Sequence, residues 1–293
     1  LEVIGCGTKR GIGAPLISDH VLDVSRLSDI HSYQPEELIL TAGPGAKLVE
    51  IEAALAQSRQ QMAFEPADLG PLMGYAADQG TLGGVIGCNL SGPRRIKAGA
   101  VRDHFLGFSA VSGRGELFKA GGKVVKNVTG YDLSKLICGS YGTLVALTEI
   151  TFKVLPQPEE SKTLIIHNQK IETAIHFLDK SVSSSNDVSG AVFFPNDLKI
   201  RGCVMNIENT FKLNDLKHEG SITAIRIEGS KNSINQRIEN LIKELQITNS
   251  NISILEINQS EIFWNKIKSL EFFSSSKNSI IRIVIPPSEC VQL

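Results

Sequence analysis

Two glycine-rich segments in the first half of the chain have the composition of loops that bind anions. The first, Gly5-Cys6-Gly7-Thr8-Lys9-Arg10-Gly11-Ile12-Gly13, follows a short apolar stretch that predicts a strand. Glycine accepts positive φ angles and has no side chain, so this loop can turn several amides toward a phosphate. It matches neither the dinucleotide fingerprint G-x-G-x-x-G nor the P-loop, and a tight structural turn is the alternative interpretation.

The second segment, Gly80-Thr81-Leu82-Gly83-Gly84-Val85-Ile86-Gly87, places glycines just before and within the first turns of a predicted helix. Unpaired amides and the helix dipole favour an anion at such a terminus. The alternative is that Gly83, Gly84 and Gly87 allow close packing of the helix.

Arginines follow the second glycine segment closely, in Ser91-Gly92-Pro93-Arg94-Arg95 and Val101-Arg102-Asp103-His104. Guanidinium groups suit phosphates or acidic partners, but a solvated basic face at Arg94 and Arg95 and a structural ion pair at Arg102 are equally consistent. The six histidines show no metal-ligand spacing, and no Gly-x-Ser-x-Gly motif of a hydrolase occurs. The sequence therefore predicts no metal site.

Composition excludes several classes of protein. The 293 residues carry 30 basic and 31 acidic side chains, and a net charge of −1 gives no electrostatic footprint for nucleic acid. No apolar run reaches the roughly 18 residues that a transmembrane helix needs. The five cysteines are widely spaced without a C-x-x-C pair, which favours a reducing, cytoplasmic compartment.

The first half of the chain reads as a mixture of strands and few helices. Strands are predicted at about 1 to 4, 20 to 24 and 37 to 42, a hairpin at 106 to 119 and a long strand at 147 to 154. Helices are predicted at about 46 to 60, 81 to 90 and 131 to 138. Because the order is not a regular alternation of strand and helix, we predict an α+β fold.

The second half predicts helices that alternate with strands of a sheet, in a smaller α/β sandwich-like domain. The division is predicted near Pro156, because 22 of 26 glycines lie in residues 1 to 150 and 14 of 16 asparagines lie after them. We expect domains at 1–156 and 157–293, each incomplete at its outer end, since strands reach almost to both termini. The predicted elements are strands at 163 to 167, 190 to 194, 200 to 206, 222 to 228, 252 to 257 and 280 to 285, and helices at 171 to 181, 231 to 245 and 259 to 269.

Several motifs in one order carry a resemblance to a family of flavoproteins. They are Gly80-Thr81-Leu82-Gly83-Gly84, Ser91-Gly92-Pro93-Arg94-Arg95, Val101-Arg102-Asp103, Val125-Lys126-Asn127-Val128-Thr129-Gly130-Tyr131-Asp132-Leu133, and Gly139-Ser140-Tyr141-Gly142-Thr143-Leu144 through Glu149. Over about residues 1 to 156 the chain resembles the FAD-binding domain of the vanillyl-alcohol oxidase and p-cresol methylhydroxylase (PCMH) family. Within it, the chain is most similar to FAD-binding subunits of bacterial glycolate oxidase.

The resemblance implies two α+β subdomains that hold an extended FAD, with its pyrophosphate against glycine-rich backbone. Some members attach the flavin through His or Cys; only Cys6 lies in a suitable loop here, and we expect non-covalent FAD. The residues that the resemblance assigns to the cofactor are Gly5, Gly7, Thr8, Gly11, Pro66, Gly80, Thr81, Leu82, Gly83, Gly84, Ser91, Gly92, Arg102, Asn127, Gly130, Leu147 and Glu149.

The resemblance also implies a role in the oxidation of glycolate to glyoxylate, with a flavin that relays electrons. Oxidation of a 2-hydroxy acid needs a base for the hydroxyl and a cation for the carboxylate. Residues 157 to 293 offer only His167, His176 and His218, unclustered, so no catalytic residue is assigned. A self-sufficient 2-hydroxy-acid dehydrogenase and a structural subunit without flavin are the alternatives.

Partners follow from the same resemblance. It implies a second FAD subunit and an iron–sulfur subunit, with the small 2-hydroxy acid reached through the complex. The expected location is the cytoplasm, peripheral at the inner membrane through that complex. Arg94 and Arg95 are candidates for the subunit contact.

Overall fold

The computed structural model describes residues 1–14, 16–122, 130–195, 199–200, 203–204, 220–248, 251–273 and 279–292. The chain divides into two compact units, Leu1–Gln157 and Pro158–Leu293. The strands and helices of the first unit are β1 (Glu2–Ile4), β2 (Val21–Asp23), β3 (Ile30–Gln34), β4 (Ile39–Ala42), α1 (Leu48–Ala56), β5 (Gln60–Gln61), α2 (Leu82–Cys88), α3 (Arg95–Ala98), α4 (Val101–His104), β6 (Phe105–Ser112), β7 (Leu117–Gly121), α5 (Leu133–Ile137), β8 (Val145–Lys153) and β9 (Leu155–Pro156).

An antiparallel sheet in the order β3-β4-β8-β6-β7 forms the centre of the first unit. Apolar side chains from β4, β6 and β8 meet the buried faces of α1 and α2 in one core, which includes Leu40, Ile51, Val85, Phe108 and Ile150. These side chains alternate along their strands, so one face of the sheet packs against the helices. The core therefore fixes α2 beside the sheet.

A separate parallel pair, β1 and β2, precedes this sheet, with Glu2 opposite Val21 and Ile4 opposite Asp23. The glycine-rich segment 5–13 leaves the end of β1. Strand β2 is followed by a turn in which Ser25 donates its amide to the Asp23 carboxylate over 2.8 Å. The pair thus holds the glycine loop at both of its ends.

The second unit is a four-stranded antiparallel sheet between two layers of helix, with a small hairpin. The strand order of the sheet is β11-β14-β10-β15. The elements are β10 (Glu160–His167), α6 (Ile171–Val182), β11 (Val188–Phe194), β12 (Lys199–Ile200), β13 (Cys203–Val204), β14 (Ile222–Gly229), α7 (Lys231–Leu245), β15 (Ile252–Leu255) and α8 (Ile257–Ser269).

Both faces of this sheet are buried. Leu164 and Ile166 of β10 pack with α6 and α7 on one face, whereas Ile165, between them, packs with Phe263 and Trp264 of α8 on the other. Strands covered on both faces read as continuous apolar runs, as Leu164-Ile165-Ile166 does. The α+β class predicted from the sequence is confirmed.

The strand predicted at 280 to 285 is wrong. These residues are described without regular structure, and the side chains of Ile281 and Val284 are 80% and 81% exposed. The alternation of branched residues predicts a strand, but a strand forms only where a partner supplies hydrogen bonds. A 3₁₀ turn at Pro287–Gln292 follows.

Candidate functional site

A cleft of about 310 Å³ opens in the first unit beside the glycine loop. Its wall comprises the loop after β1, Pro44, the first turns of α2, and the segment that leads into β8. Of the residues predicted to bind the cofactor, seven line it: Gly5, Gly7, Thr8, Thr81, Gly83, Gly84 and Leu147. Folding thus brings together the two glycine segments that the sequence singled out.

The glycine loop presents a run of amides to this cleft. Within the described chain, no acceptor lies within hydrogen-bond reach of the backbone N–H of Cys6, Gly7, Thr8 or Lys9. Two hydrogen bonds between residues three apart shape the turn, from Arg10 N to Gly7 O (3.1 Å) and from Ile12 N to Lys9 O (3.1 Å). Gly7 has a φ of +70°, the left-handed region that glycine enters at little cost. Successive amides in such a turn form an anion-binding concavity.

The loop is anchored to β1 by an ion pair. Arg10 donates from Nε and from the second guanidinium nitrogen to the two carboxylate oxygens of Glu2, over 2.8 and 2.9 Å. The Glu2 side chain is only 9% exposed, and the two-pronged geometry is the strong form of this pair. Arg10 therefore stabilises the conformation of the loop, and the carboxylate of Glu2 compensates most of its charge.

The N-terminus of α2 faces the cleft, but its first amides already have acceptors. Leu82 N donates to Ala46 O over 2.9 Å, Gly83 N to Pro44 O over 2.8 Å, and Gly84 N to the capping Thr81 Oγ1 over 3.4 Å. A Cβ on Gly83 would lie 2.8 Å from Pro44 Cβ. Close packing therefore accounts for Gly83, and in the described chain these amides of α2 are paired, unlike those of Cys6 to Lys9 in the first glycine loop.

Glycine also leaves the backbone bare at Gly5 and Gly84, where the two segments meet. A Cβ on Gly5 would lie 2.7 Å from Thr81 Oγ1, closer than any real contact of this kind. A Cβ on Gly84 would lie 3.0 Å from Lys9 Nζ, on the cleft side of the helix. Bare backbone at these two positions keeps the cleft open to a phosphate-sized group.

The titratable side chains of Cys6, Lys9 and Cys88 line the cleft, and Asp68 lies close enough to influence Lys9. Burial lowers the pKa of the Lys9 ammonium, against the opposing influence of Cys88, Asp68 and Cys6. Burial raises the pKa of the Cys88 thiol, and the charge of Lys9 opposes that rise. The Cys88 thiol is consequently neutral near pH 7, and Lys9 is the one member of this group that can carry a positive charge.

The other predicted cofactor residues lie outside the cleft wall, and most have structural contacts. Ser91 Oγ accepts the amide of Val101 over 3.0 Å, and Gly92 N donates to Phe64 O over 2.9 Å. Leu82 is fully buried in the core. Asn127 lies outside the described residues. The remaining members of the set are Gly11, next to the cleft in the loop; Pro66 and Gly80, both buried; Arg102 and Gly130, both exposed; and Glu149.

Glu149 takes part in a polar cluster on the sheet. His31 Nδ1 lies 3.1 Å from one carboxylate oxygen, and Ser109 Oγ donates to the other over 3.2 Å. The hydrogen bond from His31 lowers the pKa of the Glu149 carboxyl, despite an opposing effect of burial. Glu149 is therefore ionised near neutral pH and fixed in orientation.

The two arginines proposed as interface residues have different surroundings. Arg94 is mostly buried: its amide donates to Glu65 Oε2 over 2.7 Å and its guanidinium lies 3.5 Å from Glu65 Oε1. Arg95, in the next position, is exposed. Only Arg95 presents a charge at the surface, so Arg94 fits a structural role.

Sequence reasoning missed the part of the cleft wall that lies just before β8. Ser140, Tyr141, Gly142 and Thr143 line the cleft, and Tyr141 N donates to Gly87 O over 2.8 Å. Tyr141 has a φ of +55°, unusual for a bulky residue. Gly-Ser-Tyr-Gly-Thr contributed to the resemblance, and its turn-forming glycines were the available signal.

Among the described residues, no group of three or more His, Cys, Asp or Glu side chains is placed to hold a metal ion. In the same part of the chain, every helix is too short or too polar to cross a bilayer.

Comparison with known proteins agrees with this geometry. Residues 1–121 match a family model described as an FAD binding domain. The glycolate oxidase subunit GlcE of Escherichia coli (strain K12) is 40% identical over 201 residues, which cover 69% of this chain and 55% of that relative. The glycolate oxidase subunit GlcD of Bacillus subtilis (strain 168) is 33% identical over 171 residues, covering 58% of this chain and 35% of GlcD.

Two further relatives extend the comparison. A D-lactate dehydrogenase of Archaeoglobus fulgidus is 30% identical over 173 residues, 59% of this chain and 37% of the relative. A solved structure of alkyldihydroxyacetonephosphate synthase superposes with a TM-score of 0.68 at 17% identity, covering 92% of this chain and 50% of that one. This structural similarity shows the fold. The matched part of the chain spans about half the length of GlcE, and a smaller share of GlcD and of the D-lactate dehydrogenase.

The matched segment contains the glycine loop with its free amides, Lys9 and the first turns of α2, so the residues present fit a cofactor that carries a pyrophosphate. Residues 1–121 thus match an FAD binding domain, and over 201 residues the chain is similar to a glycolate oxidase subunit.

Proposed function

We propose that this protein is an FAD-binding subunit of a complex that oxidises glycolate to glyoxylate. The observation that carries the proposal is the 40% identity to a glycolate oxidase subunit over 201 residues. In this proposal residues 1–156 hold FAD non-covalently, and residues 157–293 form a smaller second domain. The partners are a second flavoprotein and an iron–sulfur subunit, and the complex is cytoplasmic and peripheral at the inner membrane.

The cleft supplies the binding and orientation that the cofactor requires. The amides of Cys6 to Lys9 serve the pyrophosphate, and the bare backbone at Gly5 and Gly84 admits it. The cofactor-binding residues named from the sequence, including Asn127, stay part of the proposal, with Gly83 contributing through the packing of α2 against Pro44. When bound, FAD supplies the capacity to accept two electrons from an alcohol and to pass them on.

The side chains around the cleft support an electron-relaying role. A 2-hydroxy acid must lose its hydroxyl proton to a base during oxidation. No histidine of the described residues lines the cleft. His104 is buried with Nε2 only 2.8 Å from Ala98 O, and His31 is engaged with Glu149. In this proposal the partner flavoprotein provides the base and the carboxylate-binding cation.

Anaerobic mixing with glycolate tests the division of labour. The purified protein, loaded with FAD, is mixed with glycolate alone and then with the partner flavoprotein added. We expect its flavin to stay oxidised alone and to become reduced in the complex. Rapid reduction of the isolated protein would instead show a self-sufficient 2-hydroxy-acid dehydrogenase, while a folded protein that takes up no flavin would show a structural subunit.

A further inference from the structure

Lys9 differs from the other cation of the cleft wall in having no carboxylate partner. Arg10 pairs with both oxygens of Glu2. The ammonium of Lys9 contacts Thr8 Oγ1 over 3.5 Å, and no Asp or Glu oxygen of the described chain lies within ion-pair distance of it. The side chain nevertheless points into the cleft, where a Cβ on Gly84 would lie 3.0 Å from Nζ.

Within the described chain, none of the titratable groups that face Lys9 lies close enough to form an ion pair with it. They are the thiols of Cys6 in the glycine loop and Cys88 at the end of α2, and the carboxylate of Asp68. Asp68 attracts Lys9 through space from beyond ion-pair distance, and its oxygens accept amides: Oδ1 that of Gly70 over 3.0 Å and Oδ2 that of Asp78 over 2.6 Å. The Glu2–Arg10 pair and the Tyr141 hydroxyl complete the titratable groups of the wall.

Burial of an ammonium with no carboxylate in direct contact is unfavourable, and the charge of Asp68 offsets that cost only in part. Burial becomes favourable when an anion enters beside the ammonium. The amides of Cys6, Gly7 and Thr8 are directed to the same cleft, so one anion can receive hydrogen bonds from the loop and the charge of Lys9 together.

The geometry points to Lys9 as the counter-cation of the cofactor's diphosphate, which makes FAD binding coupled to protonation of this side chain. This inference rests on the proposed function, because it assumes that FAD is the ligand of the cleft. In this inference, Lys9 makes the site bind flavins that carry a diphosphate more tightly than flavins that lack one.

The sign of the pH dependence follows from linkage. In the free protein, burial lowers the pKa of Lys9, whereas a neighbouring diphosphate raises it. Between these two values the bound protein carries more protons than the free protein. Affinity for FAD is therefore constant below the pKa of the free protein and falls as pH rises through it, by at most about tenfold per pH unit.

Titration of apoprotein with FAD and with riboflavin, from neutral to alkaline pH, measures this coupling. Lys9→Met should weaken FAD binding about ten- to a hundredfold, the range for a lost charge-assisted hydrogen bond, and leave riboflavin binding unchanged. Its FAD affinity should also lose the alkaline decline. Lys9→Arg should retain affinity and flatten the pH profile, because a guanidinium does not deprotonate in this range.

Two controls separate Lys9 from other titrating groups. The double variant Cys6→Ser/Cys88→Ser should keep the alkaline decline, which would vanish if the thiols caused it. Lys135→Met removes an exposed charge that pairs with Asp132 at 3.3 Å, outside the cleft wall, and should leave both affinities unchanged.

The outcomes distinguish this inference from the function on which it rests. If the wild-type protein binds neither flavin, the proposed function fails and the role of Lys9 falls with it. If the wild type binds FAD and a folded Lys9→Met binds it equally well, or weakens riboflavin to the same degree, the role of Lys9 alone is refuted. Should Lys9→Met fail to fold, an undiminished alkaline decline in Lys9→Arg refutes it.

Discussion

Gly83 and Gly84 are adjacent in α2, yet their surroundings predict opposite effects of the same substitution. A Cβ at Gly83 meets the backbone oxygen of Pro44 at 2.9 Å, whereas at Gly84 it meets only the ends of two side chains. Gly83→Ala should lower the free energy of unfolding by about 1–3 kcal/mol, as overpacking does. Gly84→Ala should change it by less than about 1 kcal/mol, since the gain in helix propensity offsets the contact.

Urea unfolding of the two variants measures the difference. Gly84→Ala should instead weaken FAD binding, because its new methyl group displaces the Lys9 ammonium. Equal stability of the two variants would show that Pro44 moves aside without cost. In that case packing would no longer explain the glycine at 83.

The cysteines of the first unit should differ in reactivity and should not hold the flavin. Burial raises the pKa of the Cys138 thiol to about 12, so Cys138 should resist alkylation in the folded protein. Cys6 lines the cleft, and bound FAD should protect it. Acid denaturation should release all of the flavin into solution. Flavin retained on the precipitated chain, and lost from it in Cys6→Ser, would contradict non-covalent binding.

At the scale of elements, His104 links the end of α4 to the last residue of α3 and to β8. Nε2 donates to Ala98 O over 2.8 Å, and Nδ1 lies 3.3 Å from Lys153 O. Burial lowers the pKa of this imidazole, although both carbonyls favour the protonated form. The folded protein therefore holds His104 neutral.

The unfolded chain consequently takes up a proton at His104 before the folded protein does. Stability should fall as the pH drops below the ordinary histidine pKa of about 6.5, by at most about 1.4 kcal/mol per pH unit from this group. Urea unfolding at about pH 7.5 and about pH 5.5, on either side of that pKa, compares the wild type with His104→Gln. The variant should show the smaller difference; an equal difference would assign the effect to other groups.

Elements with a clear apolar pattern were predictable from the sequence. Helix α7 has the predicted bounds, Lys231–Leu245, because its apolar positions form one stripe against the sheet. Strand β3, Ile30–Gln34, was missed: it lies at the sheet edge, is largely exposed and lacks alternation. The strand predicted at 280 to 285 is the opposite error: the apolar pattern is present but the strand is not, because a local pattern contains no information about a pairing partner.

The candidate site was predictable to a similar degree. The sequence identified both glycine segments because glycine marks unusual backbone angles and close approaches. It did not reveal that Pro44 occupies the amide of Gly83, nor that the turn at Ser140–Thr143 closes the cleft. These facts depend on contacts between segments far apart in the chain. Lys9 was visible in the loop, but its burial and lack of a carboxylate partner were not.

On the scale of the whole molecule, each unit has its own hydrophobic core, and the single tryptophan reports on one of them. Trp264 is 2% exposed in the second unit, with the Arg226 guanidinium carbon 4.6 Å from its ring centroid. Bound flavin reports on the first unit. We therefore expect tryptophan and flavin signals to follow separate thermal transitions.

Excess FAD should raise the transition temperature of the first unit and leave that of the second unit unchanged. A ligand present at 100 times its dissociation constant stabilises the state that binds it by about 2.7 kcal/mol. The tryptophan transition should stay unchanged when the FAD concentration is varied. A shift of both transitions together would show that the two units unfold as one.

The exposed run Ile280-Ile281-Arg282-Ile283-Val284-Ile285 has a consequence for the behaviour of the protein in concentrated solution. Five β-branched residues and one charged residue, followed by Pro286, have the composition of segments that stack into cross-β fibrils. No hydrogen bond within the described chain engages their backbone. Thioflavin T fluorescence should rise during storage, and Val284→Lys should delay that rise, because a charge in each stacked layer repels its neighbours. This short segment would then limit the shelf life of the purified protein while leaving its cofactor chemistry intact.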